Sequence, residues 1–129
     1  MSSTLTVVGT PAPRVDGVRK VTGQATYGAD VILPGMLWCK LARSTMPHAR
    51  LVKVDASKAR SMPGVQAVIT AEDIPDRRWG RAIEDMPVLA RDKVRFVGEP
   101  IAAVAADDPD VAEQAAMAIE VEYEELPAI

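Results

Sequence analysis

The chain has 129 residues, of which 48% are hydrophobic, 26% are charged and 4% are aromatic, and its net charge is −3. This length and composition indicate a single globular domain with an aliphatic core and exclude a largely disordered chain. The scarcity of aromatic side chains argues against nucleic-acid binding by base stacking. The one cysteine, Cys39, excludes an internal disulfide, and it excludes an iron–sulfur cluster or a cysteine-rich zinc site within this chain alone.

The N-terminal segment and the hydropathy pattern predict a cytoplasmic protein. The sequence MSSTLTVVGTPAP at the start has neither the basic segment nor the long apolar segment of a signal peptide. The apolar runs are all much shorter than the roughly 20 residues that a membrane-spanning helix needs. We therefore expect no membrane span.

The charges are divided unevenly along the chain. Residues 1–60 carry nine Lys/Arg and three Asp/Glu, whereas residues 61–129 carry six and fifteen. The segment from Asp107 to Glu125 has eight acidic residues and no basic ones. Two interpretations stay open for its exposed glutamates, Glu120 and Glu122: a solvated acidic face, or a surface that docks a basic partner.

The first 22 residues are predicted to form an extended arm, and residues 23–129 a single folded domain. The arm contains two prolines and two glycines and has little apolar surface to bury by itself. The domain begins with a strand over residues 36–43, because the turn signal Pro34-Gly35 is followed by alternating side chains.

Two strand–helix–strand units follow along the domain. In the first, residues 50–55 form a strand, Asp55 caps a short helix that ends at Pro63-Gly64, and residues 65–70 form a β-branched strand. A loop-rich segment then includes a helical turn at 71–74 and a short strand near 87–90.

The second unit begins with the apolar run IAAVAA over residues 101–106, which predicts a buried strand. Asp108 caps a helix with Pro109 at its first position, and Val111, Ala115 and Ala118 are predicted to lie on one face of that helix. The alternating sequence IEVEYEEL then predicts a half-buried strand. The predicted fold class is therefore α+β, with a mixed β-sheet and two strand–helix–strand units at about 50–70 and 101–124.

Motifs for nucleotide or metal chemistry are incomplete. Gly23 and Gly28 have the spacing of the first part of a P-loop, but Ala29-Asp30 follow in place of Lys-Ser/Thr. His48, the only histidine, has no second histidine or spaced cluster that would complete a metal site. We interpret it as a structural or partner-facing side chain. Cys39 is interpreted as a small buried thiol rather than a reactive one.

A large aromatic side chain, Trp79, is predicted to lie in a polar loop among Arg77, Arg78 and Arg81. Local cation–π packing is one interpretation. An interface anchor is the other, because tryptophan and arginine are enriched in such positions.

Gly98, Glu99 and Pro100 immediately precede the apolar strand 101–106. Glu99 is the best carboxylate candidate for acid–base chemistry, because it lies close to this strand. However, Pro100 fixes the chain direction and Gly98 allows conformations that other residues avoid, as a corner at the start of a strand requires. No second carboxylate or base stands at a spacing that would make a catalytic pair. We predict a corner, with no catalytic, cofactor-binding or metal-binding residue in the chain.

Two segments carry a family resemblance that covers most of residues 13–129. They are PRVDGVRKVTGQATYGADVILPGMLWCKLARSTMPHARLVKVDASKARSMPGVQAVITAEDIP and DKVRFVGEPIAAVAADDPDVAEQAAMAIEVEYEELPAI. The chain resembles the α/β-hammerhead domain near the N-terminus of the molybdenum-cofactor-binding large subunit of the xanthine dehydrogenase, aldehyde oxidase and carbon monoxide dehydrogenase family.

The resemblance implies an oxidoreductase of which this chain is only one part. In that family the large subunit holds a molybdenum–pterin cofactor in later regions, and 2Fe-2S clusters and usually FAD lie on other subunits or domains. The implied partners are the remainder of the molybdenum-binding subunit, the iron–sulfur subunit and the FAD subunit. We expect a fragment with a structural role that is inactive alone. The alternative is a free-standing protein-binding module.

Overall fold

The computed structural model describes residues 8–9 and 11–128, and the chain divides after Pro34 into two compact units. The first unit contains a five-residue helix, α1 (Gly17–Val21), and a 3₁₀ turn at Gly28–Asp30, neither of which buries a residue. Residues 1–7 and 10 of the predicted arm lie outside the described residues. The predicted domain boundary at residue 22 stays a prediction.

The second unit is built around one three-stranded sheet with a fully apolar central strand. Its order is β1 (Trp38–Arg43), β7 (Pro100–Ala106) and β3 (Val65–Thr70). The run IAAVAA is β7, and its position between two partners explains why Ile101, Ala102, Val104 and Ala106 are at most 1% exposed. The predicted strands 36–43, 65–70 and 101–106 are confirmed, with β1 starting at Trp38.

A second three-stranded sheet has the order β6 (Lys93–Val94), β2 (Ala49–Asp55) and β8 (Glu120–Glu125). The predicted alternation of β8 is confirmed, because Val121 and Tyr123 are half-buried while the glutamates between them are exposed. A two-stranded hairpin pairs β4 (Arg78–Trp79) with β5 (Met86–Pro87). The strand expected near residues 87–90 is this shorter β5.

Two helices connect the sheets: α2 (Ser57–Arg60) links β2 to β3, and α3 (Pro109–Met117) links β7 to β8. Asp108 caps α3 as predicted, since its carboxylate accepts from the amides of Asp110 and Val111 at 2.8 and 3.3 Å. The most deeply buried residues of α3 include Ala112, which is not one of the three residues predicted to share a face. Ala112 and Ala115 are fully buried, whereas Val111 and Ala118 are half-buried.

The α+β class and both strand–helix–strand units are confirmed, but the predicted mixed sheet is wrong. All strand pairs in the described residues are antiparallel. The physical reason is that each connecting helix carries the chain from one sheet to the other. The two strands of a unit therefore never become parallel neighbours within one sheet.

The predicted burial of Cys39 is also wrong, because the thiol is exposed. It lies on β1, which borders the first sheet and has a partner, β7, on one side. The neighbouring Trp38 is 37% exposed, so this end of the edge strand is poorly covered.

Candidate functional site

The Gly98-Glu99-Pro100 segment forms a tight corner built around a buried carboxylate. Glu99 is 4% exposed, and Gly98 has a φ of +91°, which a side chain would strain. The Glu99 carboxylate accepts two hydrogen bonds from Arg95, one from the backbone amide at 2.5 Å and one from the guanidinium at 3.0 Å. Each carboxylate oxygen is thus bound to a donor from the residue that opens the turn.

The end of β1 holds the same corner from the side. The Gly98 amide donates to the Ser44 carbonyl at 2.8 Å, and the Ser44 amide donates to the Glu99 carbonyl at 2.9 Å. The Arg43 guanidinium donates to the Gly98 carbonyl at 2.8 Å. The strand register shifts between Ala42 and Arg43, which lets the chain follow the corner.

His48 binds the segment that follows β8. Its Nδ1 lies 2.7 Å from the Pro127 carbonyl, and since a carbonyl only accepts, Nδ1 carries the proton. The Leu126 amide also donates to the His48 carbonyl at 3.0 Å. The histidine therefore connects the start of β2 to the chain at residues 126–127.

One open cavity of about 410 Å³ is lined both by His48 and by the turn that precedes the corner. Its lining residues are Pro47, His48, Arg95, Phe96, Val97 and Ala128. Sequence reasoning missed Arg95 and the two apolar residues that follow it. The opposite charges of Arg95 and Glu99 at an i, i+4 spacing were the available signal, but outside a helix that spacing does not predict contact.

Trp79 lies on the hairpin, opposite Met86, and is 57% exposed. Arg77 and Arg78 are exposed beside it. The turn is close-packed, since a Cβ on Gly80 would lie 1.7 Å from the Ile83 carbonyl oxygen. The hairpin can therefore present Trp79 to solvent in a defined backbone geometry.

Glu120 and Glu122 lie on β8 beside a basic side chain of β2. Their register partners are Asp55 and Lys53, and the Lys53 ammonium lies 3.0 Å from the Asp55 carboxylate. Asp55, and more weakly Glu122 and Glu120, raise the pKa of Lys53. The acidic face is thus partly neutralised, and the uncompensated surface is smaller than the sequence count of acids indicates.

Groups of three or more His, Cys, Asp or Glu that could hold a metal ion are absent from residues 8–9 and 11–128. Among the same residues, no helix is long and apolar enough to cross a membrane.

Comparison with known proteins identifies the fold family. Residues 22–127 match the family described as "Aldehyde oxidase and xanthine dehydrogenase, a/b hammerhead domain". The chain belongs to this family. The match covers both strand–helix–strand units, the corner and most of the described chain, so the resemblance inferred from the sequence is confirmed.

Curated relatives and solved structures agree with this family assignment. The chain is 52% identical over 114 residues to a probable xanthine dehydrogenase polypeptide of Bacillus subtilis (strain 168), and the match covers 88% of this chain and 15% of the relative. It is 48% identical to the nicotinate dehydrogenase large molybdopterin subunit of Eubacterium barkeri, covering 95% of this chain and 29% of that one. The structure of CO dehydrogenase from Oligotropha carboxidovorans superposes with a TM-score of 0.85 and 41% identity, covering 92% of this chain and 15% of that one.

Quinoline 2-oxidoreductase from Pseudomonas putida 86 superposes with a TM-score of 0.83 and 40% identity, covering 94% of this chain and 16% of that chain. The hammerhead chain thus spans between about one seventh and one third of the length of these relatives. The names of some relatives refer to molybdenum or molybdopterin, and another relative is named as part of a dehydrogenase complex.

Proposed function

We propose that this chain is the hammerhead domain of a molybdenum-dependent oxidoreductase large subunit, and that its role there is structural. In this proposal it supports the domains that bind the molybdenum–pterin cofactor and contacts the iron–sulfur and FAD partners. The observation that carries the proposal is the match over residues 22–127 to a domain that occupies only a small share of each relative. The single cysteine fits a cytoplasmic location, which belongs to the same proposal.

The side-chain chemistry of the corner supports a structural role for Glu99. Both of its carboxylate oxygens accept hydrogen bonds from Arg95, and the side chain is 6% exposed. A general base needs an oxygen within reach of a substrate proton. We therefore propose that Glu99 holds the corner and takes no part in proton transfer.

A hybrid large subunit tests the proposal. Residues 22–127 of this chain replace the matching segment of the Bacillus subtilis relative, and a second version lacks that segment altogether. We expect the hybrid to purify together with the partner subunits that bind the unmodified subunit, and the deleted version to lose them. A hybrid that is folded but no longer purifies with those subunits would contradict the proposal.

The exposed hairpin favours a second candidate, a free-standing protein-binding module. Trp79, Ile83 and Met86 are 57%, 72% and 60% exposed on this one hairpin. This candidate predicts a reproducible partner unrelated to redox enzymes that is lost with Trp79→Ala or with Glu120→Lys and Glu122→Lys. Unchanged capture by these variants would count against it.

A further inference from the structure

Next to the corner lies a group of apolar side chains that the fold of this unit leaves uncovered. Phe96 is 51% exposed and Val97 is 63% exposed, and Pro47 is exposed beside them along the same cavity. These three residues, the corner patch, lie outside both core clusters of the described chain.

Several hydrogen bonds fix the backbone of the turn that carries Phe96 and Val97. The buried Glu99 carboxylate binds the Arg95 amide and guanidinium, and the Glu99 amide donates to the Phe96 carbonyl at 3.2 Å. Ser44 holds the Gly98 amide on the other side. A buried carboxylate is costly unless it is fully paired. Here that pairing fixes a turn whose apolar side chains remain exposed.

The segment after β8 reaches the same place. Ala128 lines the cavity together with Phe96 and Val97, and His48 holds Pro127 through its Nδ1. In a longer large subunit, the residues beyond position 128 therefore leave the domain beside the corner patch. Apolar surface next to the path of the following chain is in the right position to pack against that chain.

We propose that the corner patch is the docking surface for the part of the large subunit that follows residue 128. This inference rests on the proposed function, because it requires the longer subunit. The occupant is an apolar segment of the same polypeptide, and the Glu99–Arg95 pair and His48 position the two sides of the contact.

Hydroxyl-radical footprinting tests the inference on two proteins, the isolated 129-residue chain and the hybrid large subunit. In the isolated chain we expect Phe96 to react as an exposed side chain. In the assembled hybrid we expect its reactivity, relative to that of free phenylalanine, to fall to the level that Ile101, which is 1% exposed, shows relative to free isoleucine. Equal reactivity of Phe96 in both proteins would overturn the inference while leaving the proposed function intact.

A pair of matched variants adds a second readout. Phe96→Ser with Val97→Ser is compared with Val52→Ser and Ile69→Ser, whose original side chains are 59% and 41% exposed elsewhere on the domain. We expect the corner variant to lower the melting temperature of the hybrid but not that of the isolated chain. The control pair is expected to change the melting temperature of the two proteins by the same amount. A corner variant that behaves as the control would contradict the inference.

Two further outcomes identify other failures. If the unsubstituted hybrid is folded but does not assemble with the partner subunits, the proposed function fails, and the reactivity of Phe96 in the folded hybrid still decides the inference. If Phe96 is already protected in the isolated chain, and the chain sediments as a dimer, the occupant is a second copy and the inference is wrong.

Discussion

At the scale of single residues, Glu99 and Arg95 explain why Gly-Glu-Pro precedes a buried strand. The carboxylate folds the turn 95–98 back on itself, the glycine supplies the positive φ, and the proline starts β7. The sequence indicated the corner through the glycine and the proline. It did not indicate Arg95, because only the folded turn brings the guanidinium onto the carboxylate.

Glu99→Ala is expected to destabilise the domain by about 2–3 kcal/mol, because it leaves the Arg95 amide and guanidinium without their buried partner. Urea unfolding of the isolated chain measures the change. The matched control is Glu113→Ala, which removes an exposed partner of Lys40 and is expected to cost less than about 1 kcal/mol. A stable Glu99→Ala variant that abolished turnover of the hybrid would instead favour acid–base chemistry at this residue.

Asp55 predicts a dependence of stability on pH in the acid range. The hydroxyl and amide of Ser57, and then Lys53, lower the pKa of Asp55 well below its usual range. The folded state therefore binds this proton less tightly than the unfolded state does. Asp55 contributes stability above the ordinary aspartate pKa of about 3.9, and this contribution is lost as the pH falls toward the folded value.

The measurement is the urea midpoint as a function of pH for three chains. Asp55→Asn is expected to reduce the loss of stability on acidification relative to the unsubstituted chain. Ser57→Ala removes the hydroxyl donor and keeps the amide. Its urea midpoint is expected to fall with decreasing pH less steeply than that of the unsubstituted chain and more steeply than that of Asp55→Asn. An Asp55→Asn curve that ran parallel to the original at every pH would show that Asp55 has no such role.

At the scale of elements, α3 and β7 carry the packing of the domain. Both can be predicted from the sequence, because the IAAVAA run and the Asp108-Pro109 start are strong local signals. The assignment of strands to two sheets is not local. It depends on how the alanines of α3 pack on β1 and β7, and the predicted mixed sheet failed for that reason.

Asp108→Ala is expected to destabilise the domain by about 1 kcal/mol, because the amides of Asp110 and Val111 lose their acceptor. Thermal unfolding of the isolated chain measures the effect. Asp108→Asn keeps an acceptor oxygen, and its melting temperature is expected to remain close to that of the unsubstituted chain. Equal losses in the two variants would argue that charge, rather than capping, is responsible.

Ala115→Leu is expected to cost about 1–3 kcal/mol, because Ala115 is fully buried where α3 packs on the sheet and a larger side chain has no space. Gln114→Leu, at the exposed neighbouring position of the same helix, is the control and is expected to change stability little. The free energies of unfolding from urea titrations decide the comparison. A neutral Ala115→Leu would mean that the helix packs less closely than the structure indicates.

At the scale of the whole molecule, this chain matches one segment of relatives that are several times longer. Trp79, Arg77, Arg78, Glu120 and Glu122 remain predicted interface residues. All five side chains are exposed, as that role requires.

The most direct test of the central claim is the molybdenum content of two purified proteins, the isolated 129-residue chain and the hybrid large subunit, measured by mass spectrometry of the metal. We predict that the hybrid carries molybdenum at the level of the unmodified relative and that the isolated chain carries none. Stoichiometric molybdenum on the isolated chain would contradict the claim that this domain supports a cofactor site formed elsewhere.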